Sequence, residues 1–317
     1  MTLLAVACEG ADVLALFGAD GTPRGRIPVG SDPVHAATAA GRVVVATMGE
    51  RSVTVVEPDG EVARVGTGVL GPAHLTPADG LVLVPCTAGD AVAVIDPRGP
   101  ALAGRVPTGA EPHDVGRCGA RAIAGSRADG VLTAFDPAAR RVVARHEVPD
   151  PGTARIQGVD GAPDGTGGVY AVDQGNDRVL LVDRDGVRAS APVGPDPYGA
   201  TAGPDRVYVP ARGGDAVHGF APDLSGAVVH GTAAGPEGVA VVDGEAWVYH
   251  RGAPVLRSLD GSAVRLPAPA LAAATLPDGR LLLSHYDDDA ISLVDPDSGT
   301  VAWTADAPAR PFGAVAV

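Results

Sequence analysis

A segment of about forty residues recurs eight times along this chain, and that repetition limits the fold more than any single residue does. Its clearest copies are RVVVATMGERSVTVVEPDG (42–60), LVLVPCTAGDAVAVIDPRG (81–99), VYAVDQGNDRVLLVDRDG (169–186) and LLLSHYDDDAISLVDPDSG (281–299). Each is a Val/Leu-rich run, a short Gly/Asp turn, a second such run, then Asp-Pro or Asp-Gly. That is the pattern of a β-hairpin leading into another turn. Weaker copies at 3–21, 122–137, 207–222 and 246–261 complete the set. A third strand follows each hairpin and ends in a turn such as GRIPVG (25–30); a fourth opens with proline, as in DPVHAATAA (32–40).

A four-stranded unit of this size cannot bury its faces alone, but units stacked around an axis can. The expected fold is therefore an all-β propeller of eight four-stranded blades, with seven blades as the alternative. Strands A, B, C and D run outward from the axis, and one domain spans 1–317. The sequence opens in a B strand and finishes with RPFGAVAV (310–317), an A strand without partners. Pairing that strand with the N-terminal B, C and D strands closes the ring and removes open sheet edges.

Composition fits this reading. Hydrophobic residues make up 45% but aromatics only 3%, so Val, Ala and Leu must build the core, while 44 Gly and 29 Pro supply the turns. The net charge is −14, and all 24 cations are arginine. The absence of lysine rules out a Schiff-base or lysine-base mechanism, and no basic stripe offers a nucleic-acid footprint. The N-terminal MTLLAVACEGAD lacks the basic start of a signal peptide, and no apolar run approaches a membrane span. Cys8, Cys86 and Cys118 are an odd number without zinc-type pairing. These features lead us to expect a cytoplasmic monomer with reduced thiols and neither nucleic-acid nor membrane partners.

The stretches DAVAVIDPRGPALAGRVPTGAEPH (90–113) and GNDRVLLVDRDG (175–186) resemble the YVTN/YncE-like propeller repeats, and the likeness extends over the whole chain. That resemblance implies a propeller whose relatives include lactonase-like and streptogramin-lyase-like enzymes as well as non-catalytic scaffolds. Eight repeats depart from the usual seven blades, so no family site transfers directly.

In a propeller the D–A and B–C loops share one face, and residues at the start of A and the end of B gather at the channel mouth. The A-strand starts are Phe312, His35, His74, His113, Gln157, Tyr198, Glu237 and the Ala272–Ala273 pair. His35, His74 and His113 recur at intervals of 39. Three imidazoles approaching an axis suit a divalent transition metal (Zn, Cu, Fe, Ni or Mn) with an open position for water or a carbonyl. His113 follows its proline directly whereas His35 and His74 follow theirs by two, so the three rings need not point alike. Glu237 and Tyr198 are candidates for proton transfer, as are His250 and His285 at B-strand ends. Arg127, Arg212 and Arg251, with Gln157 and Phe312, are the candidate substrate-binding set, and an arginine-rich mouth on an acidic protein favours a carboxylate-bearing small molecule. The expected function is metal-dependent lyase, lactonase-like hydrolase or isomerase chemistry at the channel mouth. A non-catalytic ligand- or protein-binding scaffold is the alternative.

Overall fold

The computed structural model describes residues 3–162 and 167–317. It is an eight-bladed propeller of four-stranded antiparallel sheets. Blade 1 runs Pro23–Pro28, Val13–Gly18, Leu3–Cys8 and, innermost, Pro311–Ala316, so the two ends of the chain share one sheet as expected. The closing register pairs Leu4 with Ala316, Ala5 with Val315 and Val6 with Ala314. Reciprocal backbone hydrogen bonds between Leu3 and Val317 finish it. Trp303, in the outermost strand of blade 8, adds a second clasp by donating its indole N–H to the Ala19 carbonyl, 3.0 Å away.

Alternating Val, Ala and Leu on the B and C strands pack blade against blade. Val44, Val53, Val55, Val82, Val84, Ala93 and Ile95, for example, form one core between blades 2 and 3. Small branched side chains suit these faces because wedge-shaped blades leave little room near the axis.

A device recurs on the face that carries the B–C turns. In five blades the B strand ends in a single 3-10 turn followed by an aspartate in the left-handed region: Asp12, Asp90, Asp177, Asp215 and Asp289, with φ between 45° and 55°. Aspartate tolerates this conformation better than most residues. Each carboxylate then accepts the backbone N–H of the D–A loop entering the next blade: Asp32, Glu111, Asp196, Gly235 and Arg310, at 2.8–3.1 Å. The Gly/Asp pattern of the repeat thus ties consecutive blades together. HYDDD (285–289) is one of these turns, with Asp289 as its locking residue.

Candidate active site at the channel mouth

The A strands enter the axis through a bulge. Pro33 pairs with Thr47 and His35 with Ala46, leaving Val34 extra; Pro112 and Asp114 pair with Ser126 and Gly125, leaving His113 extra. The same shift makes Gln157 and Glu237 the extra residues in their strands and places Gly158 and Gly238 at the following position. Pro72 and Pro197 bridge to Cys86 and Ala211, which puts His74 and Gly199 at that same level. The inner ring therefore reads His35, His74, Asp114, Gly158, Gly199, Gly238, Ala272 and Gly313.

This ring is lopsided. Two imidazoles and a carboxyl crowd three consecutive blades, while glycine or alanine fills the other five. The glycines let backbones approach: a Cβ on Gly158 would lie 2.9 Å from the Tyr198 carbonyl oxygen, and one on Gly313 would lie 2.9 Å from that of Val34. What remains is a cavity of about 450 Å³ at the mouth, within the size range of small-molecule sites. Below it the channel continues into a second space of about 470 Å³, the two sharing Asp114, Gly158, Gly199 and Ala200.

The imidazole wall is a row of rings. His35 and His74 are 4.3 Å apart centroid to centroid, His74 and His113 4.8 Å, and Phe312 meets His35 edge-on at 5.1 Å. Burial, reinforced by the neighbouring imidazoles, holds His35 well below the usual histidine range and His74 down at about 3. His113 is lowered by burial as well. Asp114 behaves oppositely: removal from water lifts it to about 6, although both of its oxygens accept backbone N–H groups, from Val115 and Val159. Deeper in the channel, burial and the Asp114 carboxylate raise Asp160 to about 7.

The opposite wall is charged. Glu237, 6% exposed, is ion-paired with Arg212, whose guanidinium lies 3.6 Å from the centre of the Tyr198 ring. Glu237 Oε2 and Arg212 Nε are buried without hydrogen-bond partners among the described residues. Burial raises the Glu237 pKa against the pull of Arg212. Tyr249 stands on the B strand directly across from Gly238, and its phenol lies where a Cβ at 238 would be. Burial raises its pKa strongly, so it is a neutral hydroxyl at the cavity wall.

The expected site is partly assembled. His35, His74, Gln157, Tyr198, Arg212, Glu237, Arg251 and Phe312 all line the cavity. His113 does not. It occupies the bulge, its Nδ1 lies 2.7 Å from the Gln157 carbonyl oxygen, and its Nε2 lies 3.3 Å from the Gln157 side-chain amide. Both contacts are met when Nδ1 carries the proton and the amide donates to Nε2. Among the described residues no three His, Cys, Asp or Glu side chains are grouped so as to hold a metal ion. His35, His74 and His113 as placed do not fit the expected centre, because the third imidazole sits one residue out of register.

His250 and His285 correct the sequence reading further. Both are fully buried at B-strand ends, where side chains point into the blade interface. His250 contacts the Thr232 hydroxyl and the Val255 carbonyl; His285 contacts Ser292 and the Pro269 carbonyl. With both nitrogens of each ring engaged, these histidines brace the blades and do not reach the cavity. Arg127 lies beside Arg155 and His113, outside the cavity lining. Cys8 and Cys86 are buried thiols pushed up to about 12 and about 11 by desolvation, which leaves them protonated and unreactive.

Asp114 and Tyr249 are the residues that sequence reasoning missed. Asp114 was legible in the proline offset, since it follows Pro112 by two as His35 follows Pro33. Nothing in the sequence announced that Tyr249 crosses over a glycine.

Fold and cavity together define a β-propeller with a small-molecule-sized pocket at one mouth of its axial channel. The solved structures similar to it are propellers of varied function. Dihydro-heme d1 dehydrogenase NirN aligns at TM-score 0.79 and 17% identity over 99% of this chain and 74% of its own. AztD from Citrobacter koseri aligns at 0.74 and 14% over 100% and 98%. Virginiamycin B lyase from Staphylococcus aureus, bound to quinupristin, aligns at 0.61 and 12% over 76% and 85%. At these identities the likeness is one of fold. No family model and no curated protein matches the chain. No helix among the described residues is long and apolar enough to cross a membrane.

Proposed function

We propose that this protein is a propeller enzyme that transfers protons on a small molecule bound at the channel mouth, in lyase, lactonase-like hydrolase or isomerase chemistry. The observation that carries this reading is the pair formed by His74 and Asp114. They occupy one ring position in adjacent blades, with His74 Nδ1 and Asp114 Oδ1 3.9 Å apart at the cavity wall. At neutral pH the unprotonated imidazole lies beside a carboxylate whose pKa, raised to about 6, makes it a stronger proton acceptor than a free aspartate and, once protonated, a proton donor. The Arg212–Glu237 pair and the Tyr249 hydroxyl face them and can stabilise developing charge. A lyase among the structurally similar propellers supports the class, and the three unpaired thiols support a cytoplasmic location.

The test is turnover of a panel of lactones and β-substituted carboxylates by the wild type and by Asp114→Asn. Activity in the wild type that falls about 10²-fold or more in the variant supports the assignment. Equal activity in both removes it. Elemental analysis of the same protein separates the metal-dependent alternative. Stoichiometric Zn, Cu, Fe, Ni or Mn that is lost in His35→Ala/His74→Ala would replace the metal-free reading.

A further inference from the structure

The walls of the mouth cavity differ in a way that specifies a ligand. One side is a continuous aromatic surface: Phe312 meets His35 at 5.1 Å and Tyr286 at 5.8 Å, both edge-on, and His74 continues the row. Such a surface accepts a flat apolar body through offset or edge contacts.

The other side carries unbalanced positive charge on a protein whose net charge is −14. Two guanidinium groups, Arg212 and Arg251, line it against the single carboxylate of Glu237. Arg212 is held by Glu237, whereas Arg251 pairs with no carboxylate among the described residues. A carboxylate on the ligand would supply the missing partner through charge-assisted hydrogen bonds. The unpartnered Oε2 of Glu237, on a side chain 6% exposed, is a second and independent sign. A buried carboxylate oxygen without a donor is costly, and a hydroxyl or amine on the ligand would satisfy it.

We propose that the cavity receives a small planar carboxylate carrying a hydroxyl or amine donor, with its flat body on Phe312, His35 and His74 and its charge on Arg251. This inference rests on the proposed function in taking the same cavity as the substrate site. It adds the ligand's class, and binding tests it without turnover.

The probes are 4-hydroxybenzoate, its neutral counterpart 4-hydroxybenzamide, and acetate, which has the charge without the ring. Isothermal titration is expected to show 4-hydroxybenzoate binding at least about tenfold more tightly than either control. Arg251→Gln, a change at an exposed residue that leaves the core intact, is expected to cost the acid about tenfold while leaving the amide unchanged. Phe312→Ala is expected to weaken acid and amide alike. An amide that binds as well as the acid, or full affinity for the acid in Arg251→Gln, overturns the proposal. Selective binding with no turnover of any panel compound would sink the catalytic reading alone. Turnover without preference for ring or charge would sink the ligand class alone.

Discussion

Asp114 and His74 occupy equivalent positions in neighbouring blades, and the carboxyl of the first reaches within 3.9 Å of the imidazole of the second. Their burial acts in opposite directions, because desolvation disfavours whichever form is charged. The carboxyl is lifted to about 6 and the imidazole held at about 3, which leaves both neutral between those two values.

That window is measurable. The carboxyl-carbon NMR resonance of Asp114 is expected to titrate near pH 6, about two units above an exposed aspartate. The Asn variant should lose this transition at a cost of about 1–3 kcal/mol in stability, since its amide oxygen can keep only one of the two backbone N–H groups that the carboxylate oxygens accept separately. An Asp114 titration below pH 4.5 would remove the physical basis for its role in proton transfer.

Stability should follow the imidazoles. Above pH 6.5 they are neutral in both folded and unfolded chains and contribute no pH dependence. Below 6.5 the unfolded chain takes up protons that His35, His74 and His113 refuse when folded, so stability falls as pH drops toward 3. Each fully shifted group costs up to about 1.4 kcal/mol per pH unit. Asp114 and Asp160 act oppositely, because between about 3.8 and their raised values the folded chain holds protons that the unfolded chain releases. Three imidazoles outweigh two carboxyls, and the lowered His250 and His285 add to the imbalance. Melting temperature is therefore expected to fall from pH 7 to pH 5. The fall should be steeper in Asp114→Asn and shallower in His35→Phe. A melting temperature that rises on acidification would contradict the shifts.

Gly238 and Tyr249 are coupled across the strand pair. A methyl group at 238 would collide with the phenol ring as well as its hydroxyl, so Gly238→Ala must push Tyr249 out of the cavity wall. We expect Gly238→Ala to cost about 1–3 kcal/mol of stability and to weaken ligand binding. Tyr249→Leu should relieve the stability cost but not restore binding. In a double-mutant cycle the two changes should be non-additive by at least about 0.5 kcal/mol. Additive effects on stability would mean that the ring does not sit over the glycine.

How much was legible in the sequence follows from the period of each feature. Blade number, strand order and closure by RPFGAVAV were readable because every blade repeats the same alternation and turn chemistry. The mouth was readable only to within one residue, since the bulge at each A strand inserts an extra position. The 39-residue spacing made His113 look like the partner of His35 and His74, whereas the pairing of Pro112 with Ser126 gives that place to Asp114, the residue that the proline offset also marks. The same ambiguity applied at the B-strand ends. His250 and His285 lie next to the cavity in sequence, but strand alternation turns their side chains into the blade interface, where each ring finds two partners. Whether a polar residue at a strand end faces axis or core depends on a shift of one, which repeat spacing alone does not reveal.

The aspartate locks give a last prediction, one that concerns the frame and not the chemistry. Asp215 sits at φ 46° and accepts the Gly235 N–H at 2.9 Å, joining the B–C turn of one blade to the loop that delivers Glu237 in the next. Asp215→Ala removes this hydrogen bond and places a residue less tolerant of the left-handed region there, for an expected loss of about 2 kcal/mol. Asp215→Gly relieves the backbone but not the hydrogen bond and should lose less. Asp215→Asn keeps both an acceptor and the conformational tolerance and should lose least. Because the lock precedes Glu237 by two blade elements, ligand affinity should decline in the same order, Asn above Gly above Ala. Chemical denaturation and titration of the three variants measure both orders. If Ala proves as stable as Asn, the repeated aspartate is a turn former only and does not hold the blades in register.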